Sequence, residues 1–480
     1  MKILMVMQHV NFFRNLDTVI RELEARGHDV VLLHGTRLNK KQKPAKMVFT
    51  GRGIEALQSD IPRVVVGYRP EPSERWQRRL QVGRQIVNRA TYLRKSHPAP
   101  DRVAAALDKR MSTKLLRLVQ NPLGRFFLRR RAALALWRVV ERLSRPSKTV
   151  TAVLDEFCPD VVLVSPSVWP KRPVEADYIR AARGRGIPTA GYLNSWDNLT
   201  SKGTLHVLPD AFIVWNEALA AEAQELHDVP RSIIHVTGAP HLDRLFEMRT
   251  NGPVSDVRAL MGVPPTVPYV VYLCSSRTLI SSETHIVDAL ADALTDRFPE
   301  HPPTVVVRPH PVSPETWDDF EHAGVIVHPR RGDQADTPEA WQEYYDQLAD
   351  ASCFIGLNTT AFLEAAVVDK PCLTIVADEF RAVQALTGHF RHLLSADFLE
   401  VCGGVREVAD RVARILDGAD EKAAARRAFT EFFLRPRGIQ TPATDVVVDT
   451  LLAMSGKKSR VVSREGDSKS PAFALRDDSR

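Results

Sequence analysis

Short, uninterrupted apolar runs recur along this chain, each followed by a polar turn and a stretch of helical periodicity, and the series occurs twice. A run such as Lys2–Met7 has no alternating polar face, so as a strand it must be covered on both sides, the condition of a parallel sheet sandwiched by helices. The first series comprises 2–7, 29–33, 63–67, 160–165, 188–193, 211–215 and 233–238. Its helices include one with apolar Leu16, Val19, Ile20 and Leu23, stopped by Gly27 as a left-handed cap, and another over 176–185. A Gly- and Pro-bearing connection over 251–268 precedes the second series at 269–273, 304–308, 325–327, 353–356 and 372–376, with helices around 285–297 and at 361–368. The pattern predicts an α/β fold of two doubly wound, Rossmann-like domains facing a cleft. The 480 residues also exceed what one core ordinarily holds. The expected boundaries are 1–245, interrupted by a basic helical insertion over 70–150, then 246–455, then a polar, aromatic-poor disordered tail over 456–480.

Hydrophobic residues at 44% and charged residues at 26% describe a soluble globular chain. No window reaches the ~20 consecutive apolar residues that cross a bilayer. The opening apolar run breaks at Gln8-His9 without a cleavage site, so it reads as a strand, not a leader. Five scattered cysteines with no CxxC pair fit reduced thiols in the cytoplasm and no zinc site. The net charge of +7 conceals an asymmetry, because 20 Lys/Arg face only 5 Asp/Glu between Glu71 and Lys148. Such a block calls for an anionic partner. Leu115, Leu116, Phe126, Phe127, Leu134, Trp137 and Leu143 interleave there with Arg129, Arg130, Arg131 and Arg138, which suits helices lying on the anionic inner face of a membrane. The competing reading packs the apolar residues on the domain and leaves the arginines solvated. No recognised nucleic-acid module surrounds the block, so nucleic acid is not an expected partner.

In open α/β sheets ligands gather at the carboxyl ends of the strands. Three such ends in the second series carry polar groups. Arg308-Pro-His310-Pro311 offers a guanidinium and an imidazole on a stiff loop, or else a histidine beside a turn. Asn358-Thr359-Thr360 stands before a helix whose free N–H groups suit a phosphate, with Glu364 one turn on for ribose hydroxyls. The capping alternative for Thr360 and Glu364 is off by one residue. Ser275-Ser276-Arg277 adds further donors, or an ordinary strand-to-helix turn. Together the three loops predict a pocket for a nucleotide diphosphate. In the first series Asp197 follows the 188–193 strand and is the expected general base, its pKa raised beside Trp196, unless it and Asn198 shape an Asx turn. His9, with Asn11 in the loop after the first strand, is the rival. There is no D-x-D triplet and no histidine pair at ligand spacing, His389 and His392 reading as surface or cleft lining. No metal and no cofactor are therefore expected, and Arg308, Arg277, Arg330 and Arg331 are the cations available to a leaving diphosphate.

Residues of about 210–445 resemble GT-B transferases of bacterial envelope biogenesis, above all the CDP-glycerol glycerophosphotransferase-like and capsule-polysaccharide transferase group. The resemblance rests on Arg308-Pro-His310-Pro311, on Asn358-Thr359-Thr360, and on Glu364 followed by Lys370-Pro371. Ser195-Trp196-Asp197-Asn198-Leu-Thr-Ser-Lys202-Gly203 is similar to the Trp-His-Gly-Thr-Pro-Leu-Lys stretch of teichoic-acid polymerases, with Asp197 where that stretch has histidine. The resemblance implies a transfer from a nucleotide sugar or CDP-polyol to a cell-envelope glycan or lipid-linked acceptor. On the acceptor wall it implies Ser195, Trp196, Asn198 and Lys202, beside which Asn11 is expected from its place in the loop after the first strand. Two other readings stand beside it. A nucleotide-sugar 2-epimerase has the same two-domain fold but needs acidic and histidine groups on both walls that the sequence does not display. A non-catalytic nucleotide-sugar-binding or membrane scaffold would keep the loops without turnover.

Overall fold

The structure is a computed structural model that describes residues 1–456 apart from 36–59, 62, 94–104, 106, 110, 170–172, 251–253, 278, 312, 332–334, 336, 381–383 and 385–386. The expected tail therefore lies outside the described residues from 457 onward. The first sheet contains β1 (Lys2–Met7), β2 (Asp29–His34), β3 (Val65–Tyr68), β4 (Val161–Ser165), β5 (Thr189–Tyr192), β6 (Ala211–Val214) and β7 (Ile234–Val236). The second contains β8 (Tyr269–Leu273), β9 (Thr304–Arg308), β10 (Val325–Val327), β11 (Phe354–Gly356), β12 (Cys372–Ile375) and β13 (Leu399–Cys402). Their orders are β3-β2-β1-β4-β5-β6-β7 and β10-β9-β8-β11-β12-β13. The pairings are parallel, as the continuous apolar runs require, with Ile3 in register with both Val30 and Val161. Each order reverses once, between β1 and β4 and between β8 and β11, and these reversals open the crevices where ligands bind in such sheets.

Helices seat where the apolar spacing directs. Asp17–Ala25 buries Val19, Ile20 and Leu23 and is followed by Gly27 at φ +79°, the left-handed position expected of it. The sheet ends hold two departures. β13 was not anticipated, because four residues carrying a glutamate, Leu-Glu-Val-Cys, give no apolar run. The second domain also does not extend to 455 as expected. The helix Ala443–Gly456 returns to the first sheet, where Val447, Val448 and Leu451 join the core of Ile3, Met5 and Leu163. Asp243 anchors that return, accepting from the N–H groups of Ala443 at 3.1 Å and Thr444 at 2.6 Å and pairing with Arg435 at 2.8 Å. Gly238 leaves the passage open, since a Cβ there would meet the Leu434 carbonyl oxygen at 2.6 Å.

The basic insertion is helical, with Arg75–Thr91, Thr113–Gln120, Pro122–Leu128 and Arg131–Leu143. One fully buried side chain locks it down. Arg84 donates from Nε and Nη2 to Glu141 at 2.6 and 3.1 Å, and from Nη1 and Nη2 to Asp177 at 2.9 Å each. Its remaining N–H reaches the Pro173 carbonyl at 3.0 Å. All five donors are thus satisfied, and Glu141 also pairs with Arg180 at 2.9 Å. Removing one member of a buried ionic cluster leaves uncompensated charge, a loss of about 3–5 kcal/mol. Arg84→Ala is therefore expected to lower unfolding free energy by about that amount in urea titration. A change below about 1 kcal/mol would show that the cluster does not hold the insertion.

Candidate active-site cleft

The carboxyl ends of both sheets face one cavity of about 610 Å³. From the second domain it is lined by Ser276, Arg308, His310, Asn358, Thr359, Thr360 and Glu364, so seven of the nine donor-side residues anticipated from sequence meet in one place. Ser275 lies just behind, buried, with its Oγ accepting the Asn358 N–H at 3.1 Å and its own N–H donated to Glu283 at 2.8 Å. That serine joins the β8 and β11 loops. Arg277 does not line the cavity and instead pairs with Glu315 at 3.2 Å. Arg330 is likewise spent elsewhere, on the carbonyls of Trp317 and Asp318 at 3.2 and 3.0 Å. Exposed Arg331 is not in the lining either.

Arg308 donates to Gln347 Oε1 at 2.6 Å and lies 4.0 Å over the Tyr344 ring, while the Tyr344 hydroxyl donates to Glu364. The aromatic ring thus fixes a cation on its face and a carboxylate at its edge. Arg14, from the short 3-10 helix Val10–Asn15, enters the same cavity from the first domain, 5.9 Å from the Trp341 ring centroid. Among the described residues no carboxylate pairs with Arg14 or Arg308. Sequence reasoning missed Arg14, Tyr344 and His241, which also line the cavity. A lone arginine seven residues after a strand, or a tyrosine inside a helix, carries no local signal. His310 is pushed down to about 4, first by burial and then by the Arg14 charge, so its imidazole is neutral near pH 7.

The loop after β5 forms the opposite wall through Ser195, Trp196, Asp197 and Lys202. Trp196, expected on the acceptor wall, lines the cavity as an enclosed side chain. It is 1% exposed, stands edge-on to His389 at 5.1 Å, and donates its indole N–H across the cleft to Thr360 Oγ1 at 3.2 Å. Asn198 is buried, with Oδ1 accepting the Ser195 N–H at 3.2 Å and Nδ2 donating to Asp197 at 3.1 Å. Asp197 also takes the Ser201 hydroxyl at 2.6 Å and the Lys202 ammonium at 3.1 Å. Burial alone would raise its pKa, but Lys202, His389 and these hydrogen bonds outweigh burial and hold the carboxyl well below the usual range. The expectation of a raised pKa is therefore corrected, and so low a pKa makes a weak base. His389, lining the cavity beside it, has its pKa lowered, mainly by burial, against the Asp197 charge. Its neighbour His392 bonds Glu222 at 2.8 Å.

His9 does not line the cavity. It belongs to a second polar cluster at the ends of β1, β2 and β3, near His34 and Arg69, and the Asn11 side chain lies outside the described residues. In that cluster Gln8 bonds Glu175 and accepts from Arg69 Nη1 at 3.2 Å. Glu175 Oε1, Arg69 Nε and His34 Nδ1 are buried with no partner among the described residues. Burial, opposed by the charges of Arg69 and Arg84, pushes Glu175 up to about 8. With its folded pKa above its unfolded one, the unfolded chain releases this proton first as pH rises. Glu175 therefore draws stability down between the ordinary carboxylate range and about 8. Glu175→Gln should raise the melting temperature relative to the native chain more at pH 8 than at pH 5. Equal shifts at both pH values would refute the buried, protonated carboxyl.

No family model matches the chain, and a search by sequence among curated proteins finds no match. Solved structures do share its fold. The UDP-GlcNAc 2-epimerase from Neisseria meningitidis bound to UDP-GlcNAc aligns over 94% of this chain and 100% of its own, at 13% identity and TM-score 0.51. The S. aureus MnaA–UDP co-structure aligns over 97% and 100%, at 12% identity and TM-score 0.52. A glycosyltransferase from Rickettsia africae aligns over 96% and 98%, at 10% identity and TM-score 0.51. At these identities the likeness is one of fold: two facing Rossmann-like domains, the GT-B architecture.

Proposed function

We propose that this chain is a GT-B enzyme acting on a nucleotide-activated donor, and that it transfers a glycosyl or polyol-phosphate group to a cell-envelope glycan or lipid-linked acceptor. The observation that carries this reading is a cavity of about 610 Å³ in which Arg14 and Arg308 enter from opposite domains with no carboxylate paired to either among the described residues. Two guanidiniums kept out of ion pairs in a partly desolvated site bind an anion strongly. They also stabilise the charge that develops on a leaving phosphate as the bond to it breaks. Neutral His310 donates one N–H to the same group, and Thr359, Thr360 and Ser276 add hydroxyls. Glu364, turned by Tyr344, accepts from a vicinal diol such as ribose. The bound molecules in two of the structures sharing this fold, UDP-GlcNAc and UDP, have this chemistry.

For the acceptor proton we assign His389 in place of Asp197 or His9. It lines the cavity as a neutral imidazole, and the ionised Asp197 beside it stabilises the imidazolium formed when the acceptor hydroxyl is deprotonated. The reading closest to CDP-glycerol chemistry differs only in the donor, whose loss would release a nucleoside monophosphate instead of a diphosphate. The 2-epimerase reading is favoured by the N. meningitidis structure. Proton NMR separates the three. Transfer gives free nucleotide in step with acceptor product, epimerisation gives the C2 epimer with the nucleotide still attached, and a scaffold binds without turnover.

Calorimetry with nucleoside diphosphates tests the pocket itself. Arg308→Ala and Arg14→Ala should each weaken binding by about 10- to 100-fold, the loss of a charge-assisted contact. Unchanged affinity in either variant would remove that residue from the site. His389→Gln should leave the affinity within about twofold and lower turnover by about a hundredfold or more. A variant that turns over normally would show the proton goes elsewhere.

A further inference from the structure

The helix Arg131–Leu143 has two apolar faces and only one of them is covered. Leu134, Trp137, Arg138 and Glu141, at i, i+3, i+4 and i+7, face the domain. Leu134 and Glu141 are buried, Trp137 donates to His206 at 3.1 Å, and Arg138 bonds the Leu205 carbonyl at 3.1 Å. Leu134 and Trp137 are therefore not the free anchors that the sequence implied. Two residues around the helix the same spacing repeats, with Leu136 67%, Val139 50%, Val140 42% and Leu143 79% exposed. The preceding helix Pro122–Leu128 buries none of its residues and holds Leu123 70% and Phe127 65% exposed. Soluble chains rarely leave such a set uncovered.

The charges around these faces are of one sign. Thr113 to Lys148 contains ten Lys or Arg and a single acidic residue, Glu141. Glu141 is wholly buried against Arg84 and Arg180, so the exposed charge of this segment is positive throughout. Arg129, Arg130 and Arg142 stand exposed beside the apolar side chains, the first two at 5.4 and 4.4 Å over the Phe126 ring. Apolar side chains to enter the acyl boundary, with guanidiniums at headgroup level, are the two halves of an interfacial anchor. We propose that the helices Pro122–Leu128 and Arg131–Leu143 dock this protein on an anionic lipid surface. The docking does not depend on which reaction the cleft runs.

Flotation of the full-length protein with vesicles tests it. With phosphatidylglycerol–phosphatidylcholine vesicles at low salt the protein should float, and with phosphatidylcholine alone it should stay behind. At 1 M salt, where screening shortens to roughly 3 Å, the floated fraction should fall at least about tenfold. The double variants Leu136→Gln/Leu143→Gln and Arg129→Glu/Arg130→Glu should each lose flotation while keeping native circular dichroism, since the replaced side chains are exposed. Absence of flotation on anionic vesicles, or equal flotation on neutral ones, would overturn the proposal. So would an oligomer in sedimentation that the leucine variants dissociate, because the face would then belong to a second copy of the chain.

Discussion

Trp196 and Trp215 are both wholly enclosed where the two domains meet, and the indole N–H of Trp196 must find an acceptor or be buried unsatisfied. Thr360 Oγ1 is that acceptor, at the start of the helix that follows β11 in the other domain. The rest of the indole belongs to one continuous apolar cluster that includes Leu193 and Trp215 from the first domain and Phe354, Phe362 and Phe433 from the second. The β5 loop of one sheet and the β11 loop of the other are therefore tied directly to each other through this residue. Every polar group placed by those loops inherits that geometry, including Asp197 and Lys202 on one wall and Asn358 and Thr359 on the other. The return of Ala443–Gly456 to the first sheet acts alongside it, as Asn216 donates to the Phe433 carbonyl at 3.0 Å and Ala239 to that of Leu434 at 2.9 Å.

Within that frame the distribution of charge is uneven. The carboxylates that line the cavity are already occupied: Asp197 by Lys202 and Ser201, Glu364 by Tyr344. The histidines His310, His241 and His389 are held toward neutrality by burial above all. Arg14 and Arg308 are left as cations whose partners are aromatic faces and an amide. Among the described residues neither guanidinium has a carboxylate within ion-pair distance, and a bound anion would answer both charges. The same charge that lowers His310 would be answered by that anion. Binding and protonation at this wall are consequently linked, with the ligand favouring the charged imidazole.

Sequence carried the architecture because parallel strands buried on both faces are written as continuous apolar runs, and the loops at their carboxyl ends can be read straight off. That is why Arg308, His310, Asn358, Thr359, Thr360 and Glu364 were found together. What it did not carry are properties of neighbourhood. Arg14 and His389 have no motif and matter only for what packs beside them. The pKa of Asp197 depends on Lys202 winning over burial, a balance of opposed effects that no spacing reveals. Trp196 could be named as a cleft residue from its loop, but whether it lay open or enclosed rested on the second domain. The last helix is similar: an apolar segment after β13 can cover either sheet, and the backbone anchors at Asp243 decide which.

The basic insertion is bound to the first-domain wall of the cleft largely through residues 202–206, with Arg138 also reaching the His227 and Asp228 carbonyls at 2.5 and 3.1 Å. The Tyr92 hydroxyl donates to the Lys202 carbonyl, Asn88 Oδ1 accepts the Thr204 N–H at 2.8 Å, Arg138 holds the Leu205 carbonyl, and Trp137 reaches His206. Residues 202–206 directly continue the loop that carries Asp197 and Lys202. The Arg84 cluster fixes the same helices to the start of the helix after β4 through Asp177. Buried ionic clusters contribute less to stability than an apolar replacement would, and one of their attested uses is to specify a single arrangement. Here the arrangement specified is the angle between the uncovered apolar face of Arg131–Leu143 and the mouth of the cleft. A surface bound by that face would meet the wall of Asp197 and Lys202 in a fixed orientation. An acceptor held in the same surface would then lose less freedom on entering the site than one arriving from solution.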